Sequence, residues 1–236
     1  MNLSFKPRTN LEKFGFKVYS ALVENFSQTF FVGGMMRDWL LGKKITDIDI
    51  ATEALPEQTT AALKEAGIKY DETNRKFGSI VAKQGALSVE ITTLRKDLKA
   101  SNRYTKVAFI TSPQVDSKRR DFTINSLYFS PKSQKILDFQ GGLQDLQKKQ
   151  IRFIGQADER IKQDSLRVLR ALRFVLVLNF KLEKKTKQSI KNNFATIDSL
   201  TKTKINKEIK KITNPRQRKI LTEVINNPKS IDKYFK

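Results

Sequence analysis

The stretch FVGGMMRDWLLGKKITDIDIAT, residues 31–52, decides the fold of the first half of the chain. An apolar run ends at Gly33 and Gly34, and a helical pattern starts directly after them. A strand that ends in glycines and feeds a helix offers backbone N–H groups to an anion, and Arg37, one turn into that helix, adds a cation. The alternative is an ordinary turn that needs glycine. The glycines alone favour the ordinary turn. Gly34 and Arg37 become candidate phosphate ligands only if metal-binding groups lie close to them in the sequence.

Two carboxylates lie in the same stretch. Asp47 and Asp49 alternate with Ile48 and Ile50, which predicts a strand with both aspartates on one face and both isoleucines in the core. Neighbouring carboxylates repel each other unless a cation lies between them, and oxygen ligands suit Mg²⁺. Considered alone, the pair is better explained by a solvated strand face. Beside the glycines and the arginine, it indicates a nucleoside triphosphate site with Mg²⁺.

A third carboxylate lies in a predicted hairpin whose turn we place at residues 83–86. Glu90 stands between Val89 and Ile91 and faces away from these apolar neighbours. It completes the metal site if its strand lies beside residues 46–52. The alternative is an exposed strand glutamate.

The segment KRRDFTINSLYF, residues 118–129, places two arginines before an acid, an aromatic and an amide. The guanidinium groups of Arg119 and Arg120 suit phosphate and ribose oxygens, and Asn125 suits ribose or backbone. The alternative is a basic loop that enters a helix capped by Asp121 or Thr123.

The segment QDSLRVLRALRF, residues 163–174, has a polar residue at every third position. Asp164, Arg167, Arg170 and Arg173 form a drifting stripe if the whole segment is a helix. Asp164 accepts from an amino group while Arg167 donates to a ring nitrogen or carbonyl, which suits the edge of cytosine or adenine. The alternative is an i,i+3 salt bridge.

The overall charge predicts a polyanionic partner. The chain carries 46 Lys and Arg against 24 Asp and Glu, a formal net charge of +22, so we expect nucleic acid or anionic lipid as partner. A lysine-rich surface that follows genome composition is the alternative. Histidine and cysteine are absent, so catalysis has to use carboxylates, hard cations, Lys or Arg. We see no secretory signal or membrane-spanning run, and expect a cytoplasmic protein.

The pattern changes along the chain. Strand signals end and helical periodicity dominates after Asp158, so we place a boundary near residue 145. Residues 1–145 are predicted to form an α+β domain and residues 146–236 a helical basic domain. Residues 181–236 hold 16 Lys and Arg and 5 Asp and Glu, a net charge of +11.

In this order, the segments resemble the class II tRNA nucleotidyltransferase and bacterial poly(A) polymerase family. Residues 33–52 resemble its first motif, 119–127 its second, 138–152 the connection into its neck, and 163–174 its nucleotide-selecting helix. The resemblance implies a polymerase-β-like nucleotidyltransferase head with a mixed sheet, followed by an all-helical neck and body. It also implies roles for individual residues. Asp47 and Asp49 are catalytic and hold Mg²⁺, Glu90 takes the place of a third carboxylate, and the nucleotide is bound by Gly34, Arg37, Arg120, Asp164, Arg167, Arg170 and Arg173.

The implied activity is template-independent addition of CCA to tRNA 3′ ends from CTP and ATP by two-metal-ion catalysis. Addition of only A or only CC, a poly(A) polymerase, and a non-catalytic RNA-binding remnant are the alternatives. The loop at residues 95–117, with Arg103 and Tyr104, is nearly full length and favours complete CCA. Family members commonly continue beyond the length of this chain, so we expect a C-terminally short member. Gln163 stands where the family usually has Glu, and the oligomeric state is left open.

Overall fold

The computed structural model of the protein describes residues 5–98 and 106–235. It divides into two compact units. The first comprises the chain up to Arg120 together with Asn125–Gly142, and the second comprises Asp121–Ile124 together with the chain from Leu143 onward. Four residues from the middle of the chain therefore belong to the second unit, which the sequence did not predict. The catalytic and RNA-binding roles assigned to residues 1–145 and 146–236 stay predictions.

A mixed sheet forms the centre of the first unit. The strands of this unit are β1 Thr29–Val32, β2 Asp49–Thr52, β3 Lys69–Asp71, β4 Ser79–Gln84, β5 Leu87–Thr93, β6 Arg95–Leu98, β7 Lys106–Phe109, β8 Leu127–Ser130 and β9 Lys135–Asp138. Seven of them form one sheet in the order β3-β4-β5-β2-β1-β8-β9. Strands β2 and β5 are parallel, whereas the other neighbours in this sheet are antiparallel. Strands β6 and β7 pair separately as an antiparallel ribbon.

Both faces of the central strands are buried, which explains their continuous apolar runs. On one face, Phe31 of β1 stacks on Tyr19 with ring centroids 5.3 Å apart. On the other face, Phe30 and Val32 pack with Tyr128 of β8. The helices of the first unit are α1 Asn10–Val23, α2 Gly34–Leu40, α3 Pro56–Glu65 and α4 Pro113–Ser117.

Helices dominate the second unit, as predicted. They are α5 Gly142–Gln147, which begins at the last residue of the first unit, α6 Ala157–Gln163, α7 Leu166–Leu178, α8 Lys184–Asn192, α9 Lys202–Lys210, α10 Pro215–Asn226 and α11 Ile231–Tyr234. Helix α7 is largely apolar and packs against α6, α9 and α10. Two short strands, β10 Gln150–Ile151 and β11 Lys181–Leu182, pair in parallel, so the expectation that strands end before residue 158 is wrong for β11. Among the described helices, none combines the length and the apolar character that crossing a membrane requires.

The segment after Arg120 excludes the alternative interpretation given for it. Instead of a loop that enters a helix, the chain makes a 3-10 turn at Thr123–Asn125 and continues as β8. All four residues of β8 are buried, and the strand pairs with β1. Tertiary pairing therefore overrides a local sequence that also allows a helix cap.

Candidate active site

The two aspartates of the first motif lie where β2 begins, at the centre of the sheet. Strand β2 starts at Asp49, so Asp47 precedes the strand. The prediction that both aspartates share one face of a strand is therefore wrong. Asp47 is exposed and Asp49 is partly buried. Ile48 and Ile50 are 2% and 0% exposed, which confirms their predicted core positions.

Glu90 lies directly beside Asp49, which meets the condition that the sequence analysis set for its place near the aspartates. Strands β2 and β5 run parallel, with Asp49 paired to Glu90. The hydroxyl of Ser79 donates to Glu90 Oε1 at 2.8 Å. In residues 5–98 and 106–235, however, no group of three or more acidic side chains is arranged to hold a metal ion. A ligand set of Asp47, Asp49 and Glu90 is therefore not assembled in this structure.

The electrostatics of Asp49 nevertheless fit a hard cation. Burial, followed by the neighbouring Glu90, raises the pKa of Asp49 from 3.8 to about 6, and Asp47 adds to the rise. Arg120 and Arg37 act in the opposite direction. A divalent cation would remove the repulsion between these carboxylates, and Mg²⁺ needs few protein oxygens because water and phosphates complete its shell. The donor set therefore fits Mg²⁺ at Asp47 and Asp49.

The turn between β1 and α2 passes close to Asp49. Gly33 has φ 74°, and a Cβ added to it would lie 2.6 Å from Asp49 Oδ2. Both its backbone conformation and this close approach exclude a side chain. Gly34 is the first residue of α2, and an added Cβ would lie 3.4 Å from Arg37 Nη2.

Arg37 is buried and joins two of the predicted motifs. Its Nε and Nη2 atoms donate to the two carboxylate oxygens of Asp38 at 2.9 and 2.8 Å. Its Nη1 atom donates to Asn125 Oδ1 at 2.8 Å. These contacts fix the orientation of a planar guanidinium that the sequence assigns to phosphate binding.

A polar cavity of about 390 Å³ opens beside β2. Its walls include the carboxylates of Asp49 and Glu90 and the side chains of Arg95, Arg119 and Arg120. The predicted Arg120 is thus brought to the same cavity as Asp49 and Glu90. A cavity lined by both carboxylates and guanidinium groups has the chemistry to hold a metal-bound polyphosphate.

Three residues around this cavity were not predicted. Asp116 is fully buried and accepts from Arg119 Nε at 2.7 Å and from Arg120 Nε at 3.2 Å. Tyr128 donates to Asp116 Oδ2 at 2.6 Å, and Arg95 belongs to β6. The spacing of Asp116 from the two arginines, three and four residues, is the only sequence signal for this cluster. Arg103 and Tyr104, assigned to product choice, lie outside the described residues.

The predicted base-reading pair lies in the second unit. Asp164 is exposed and comes after α6 in an extended conformation, because α7 begins only at Leu166. The expectation that Asp164 stands on the same helix as the arginines is therefore wrong. Arg167 Nη1 donates to the backbone oxygen of Arg160 at 2.7 Å and to Gln163 Oε1 at 3.2 Å. The amide oxygen of Gln163 thus serves as an acceptor for Arg167.

Arg170 and Arg173 form ion pairs within the second unit. Arg170 Nε donates to Asp121 Oδ2 at 2.8 Å, which joins the second motif to α7. Arg173 Nε donates to the buried Glu208 at 2.8 Å, and its guanidinium lies 4.2 Å from the ring centroid of Phe174. These contacts are compatible with the predicted supporting role for both arginines.

Comparison with known proteins identifies the class to which this fold and site belong. Residues 29–152 match the family described as the poly A polymerase head domain. The match covers more than half of the chain, and the chain belongs to this family. The predicted α+β fold and the family resemblance are thereby confirmed.

Particular relatives are similar over most of this chain. A CCA-adding enzyme of Lactobacillus delbrueckii subsp. bulgaricus is 39% identical over 197 residues, which are 83% of this chain and 48% of the relative. The crystal structure of the Bacillus stearothermophilus CCA-adding enzyme in complex with CTP is 32% identical, with a TM-score of 0.75 over 86% of this chain and 48% of that one. A tRNA nucleotidyltransferase complexed with a primer tRNA and an incoming ATP analog is 29% identical, with a TM-score of 0.70 over 86% of this chain and 58% of that one. The chain spans about half the length of the curated relatives it matches.

Proposed function

We propose that the chain transfers CMP and AMP from CTP and ATP to the 3′ end of tRNA without a template, and so adds CCA. The observation that carries this proposal is the cavity that Asp49 and Glu90 line together with three arginines. The proposal is also supported by relatives described as CCA-adding enzymes and by related structures described with CTP, primer tRNA and an ATP analog. The predicted cytoplasmic location is compatible with it.

The reaction is nucleotidyl transfer. The 3′-hydroxyl oxygen of the RNA forms a bond to the α-phosphorus of the nucleotide and loses its proton to solvent, and the bond from that phosphorus to pyrophosphate breaks. Arg37 and Arg120 bind the phosphates and compensate their charge. Two Mg²⁺ ions held by Asp47 and Asp49 would supply Lewis-acid chemistry that lowers the pKa of the attacking hydroxyl and stabilises the leaving oxygens. The chain contains no histidine to act as a base.

Selection of the base is assigned to the second unit. Asp164 accepts from the exocyclic amino group of cytosine or adenine, and Arg167 donates to the neighbouring ring atom. Uracil and guanine present the opposite order of donors and acceptors, which leaves polar groups unpaired. Arg170 and Arg173 support this pair through α7.

Addition of only A or CC, and synthesis of poly(A), remain alternatives because they use the same cavity. A non-catalytic remnant is disfavoured because Asp47 and Asp49 are both present.

The test is incorporation of labelled CTP and ATP, separately and together, into tRNA transcripts that end before CCA, after C and after CC. We expect two C and one A on the first transcript, then a stop, with no product from D49N or in EDTA. Only A on the CC-ended transcript, only CC on the first, or a long A ladder would select one of the alternatives. No incorporation by the native chain would refute catalysis.

A further inference from the structure

A single buried carboxylate connects the three arginines of the cavity. Asp116 is 0% exposed and lies in α4. Its Oδ1 atom accepts from the backbone N–H of Arg95 at 3.0 Å and from Arg119 Nε at 2.7 Å. Its Oδ2 atom accepts from Tyr128 at 2.6 Å and from Arg120 Nε at 3.2 Å. A buried charge is costly without such partners, so this amount of pairing indicates a defined role.

The local structure explains why Asp116 reaches both guanidinium groups. Helix α4 and the turn after it put Asp116 three residues before Arg119 and four before Arg120, which brings the side chains together. Although burial opposes ionisation, Arg120 and Arg119 hold the pKa of Asp116 below its ordinary value. The carboxylate is therefore charged at neutral pH.

Tyr128 provides a second contact from the sheet. Its hydroxyl accepts from Arg120 Nε at 2.8 Å while it donates to Asp116. Its ring centroid lies 5.0 Å from the guanidinium carbon of Arg120. Because Tyr128 is on β8, next to β1, these contacts tie Arg120 to the central sheet.

We propose that Asp116, with Tyr128, is a positioning residue that orients Arg119 and Arg120 to bind the polyphosphate of the nucleotide in the cavity beside Asp49. This inference rests on the proposed function. A guanidinium is planar and its donors have fixed directions, so an anchored Nε–H decides where its other donors point. Asp116 also accepts from the backbone N–H of Arg95, the first residue of β6, and so holds the start of the strand that carries the third arginine.

Inorganic triphosphate is a direct probe of this role. Its affinity is measured by calorimetry in metal-free buffer, so that the arginines carry the binding. We expect D116N to weaken triphosphate binding by about tenfold or more, because a charge-assisted contact to each guanidinium is weakened. We expect Y128F to weaken it by about threefold or more, since one hydrogen bond to Arg120 is removed.

Two variants in the same unit control for loss of buried polar groups. Y19F removes a buried tyrosine hydroxyl that lies 3.4 Å from Ser130 Oγ. This hydroxyl contacts Ser130 and the backbone of Lys132, not the three arginines. E12Q removes a buried carboxylate charge from the capping box of α1. Both are expected to keep triphosphate affinity within about twofold of the native chain, with melting temperatures measured for all four variants.

A double-mutant cycle separates positioning from general destabilisation. R120K keeps the charge but loses the Nε–H that contacts Asp116. If Asp116 acts through Arg120, D116N and R120K together weaken triphosphate binding less than the product of the two single effects. A fully multiplicative effect, or a folded D116N that binds like the native chain, would overturn the proposal.

Other outcomes are equally decisive. If D116N does not fold, the proposal is tested by comparing the triphosphate affinities of Y128F and Y19F. Equal affinities of these two variants would overturn the proposal. A native chain that does not bind triphosphate also overturns it. A native chain that binds triphosphate but transfers no nucleotide to tRNA refutes the proposed function and leaves the positioning role supported. With transfer active, Y128F should raise the KM for CTP more than it lowers kcat, whereas Y19F should change neither.

Discussion

At the scale of single residues, Gly33 combines two constraints in one position. Its φ of 74° is unfavourable for any side chain, and an added Cβ would lie 2.6 Å from Asp49 Oδ2. We expect G33A to lower the free energy of unfolding by roughly 1–3 kcal/mol and to abolish nucleotide transfer, because Asp49 has to move. Urea denaturation monitored by Trp39 fluorescence, together with the transfer assay, measures both effects.

Gly42 provides the matched control for backbone strain. Its φ is 66°, and an added Cβ would meet nothing within 4 Å. G42A should therefore cost roughly 1–2 kcal/mol of stability and leave transfer close to the native rate. Equal loss of activity in both variants would mean that strain, and not the displacement of Asp49, explains the effect of G33A.

The raised pKa of Asp49 predicts an unusual dependence of stability on pH. Because its folded-state pKa of about 6 lies above the ordinary 3.8, ionisation of Asp49 destabilises the folded state. This cost is absent below about pH 4, grows as the pH rises towards 6, and is complete above pH 6, on the order of 3 kcal/mol. In metal-free buffer at pH 8, D49N should therefore be more stable than the native chain, and the difference should shrink as the pH falls towards 4.

Metal addition provides the complementary measurement. Mg²⁺ should stabilise the native chain at pH 8, because it binds the folded state, but should have much less effect on D49N. Urea denaturation at several pH values, with and without Mg²⁺, measures both differences. A D49N variant that is less stable than the native chain at pH 8 without metal would contradict this account of Asp49.

The sequence predicted residues whose environment is set by local alternation. Ile48 and Ile50 are core residues because successive side chains of an extended chain point to opposite sides. Alternation also oriented Glu90, but only the pairing of β2 with β5 places it beside Asp49. The contact between Asp116 and Tyr128 was missed because these residues are 12 positions apart along the chain and meet only in the folded structure. The start of β2 at Asp49 was missed because alternation does not show where hydrogen bonding to a neighbouring strand begins.

At the scale of elements, the segment Asp121–Ile124 belongs to the second unit although its neighbours belong to the first. Phe122 is fully buried and stacks on Phe153 with centroids 4.9 Å apart, and it meets Phe174 edge-on at 5.5 Å. We expect F122A to destabilise the second unit by about 3–5 kcal/mol, because it leaves a large cavity.

Two probes distinguish the units in this experiment. Trp39 is the only tryptophan and lies in the first unit, whereas helical circular dichroism mainly reports the second. F122A should shift the circular dichroism transition more than the Trp39 transition. V177A, a truncation of an exposed α7 residue, should change stability by less than about 0.5 kcal/mol. A F122A chain as stable as V177A would show that this segment does not hold the second unit.

Helices were easier to predict than the strands of this fold. Helical periodicity after Asp158 was visible in the sequence, and the structure has helices α7 to α11 in this region, so local signals were sufficient. Strand β8 was missed because its four buried residues lack alternation. A strand buried on both faces has no polar side to mark its period.

At the scale of the whole molecule, net charge is the property that follows most directly from the sequence. The net charge of +22 includes +11 within residues 181–236. Several of these cations are paired, as Lys187 and Lys191 are with Asp232. Lys202, Lys204 and Lys207 of α9 are exposed and are candidates for phosphate contacts. Composition predicts the class of partner, but only the structure shows which lysines are exposed on one helix.

Replacing these three lysines with glutamine tests whether α9 contacts RNA. Removal of each phosphate contact should reduce the slope of log affinity against log salt by about one, and affinity for tRNA near 0.1 M salt should fall by about tenfold or more. The control replaces Lys13, Lys17 and Lys64, which are exposed on α1 and α3, and so removes the same total charge. If the RNA contacts the lysines of α9 directly, the control variant keeps the native slope of log affinity against log salt. Equal losses of affinity in both variants would mean that net charge, and not the surface of α9, attracts the RNA.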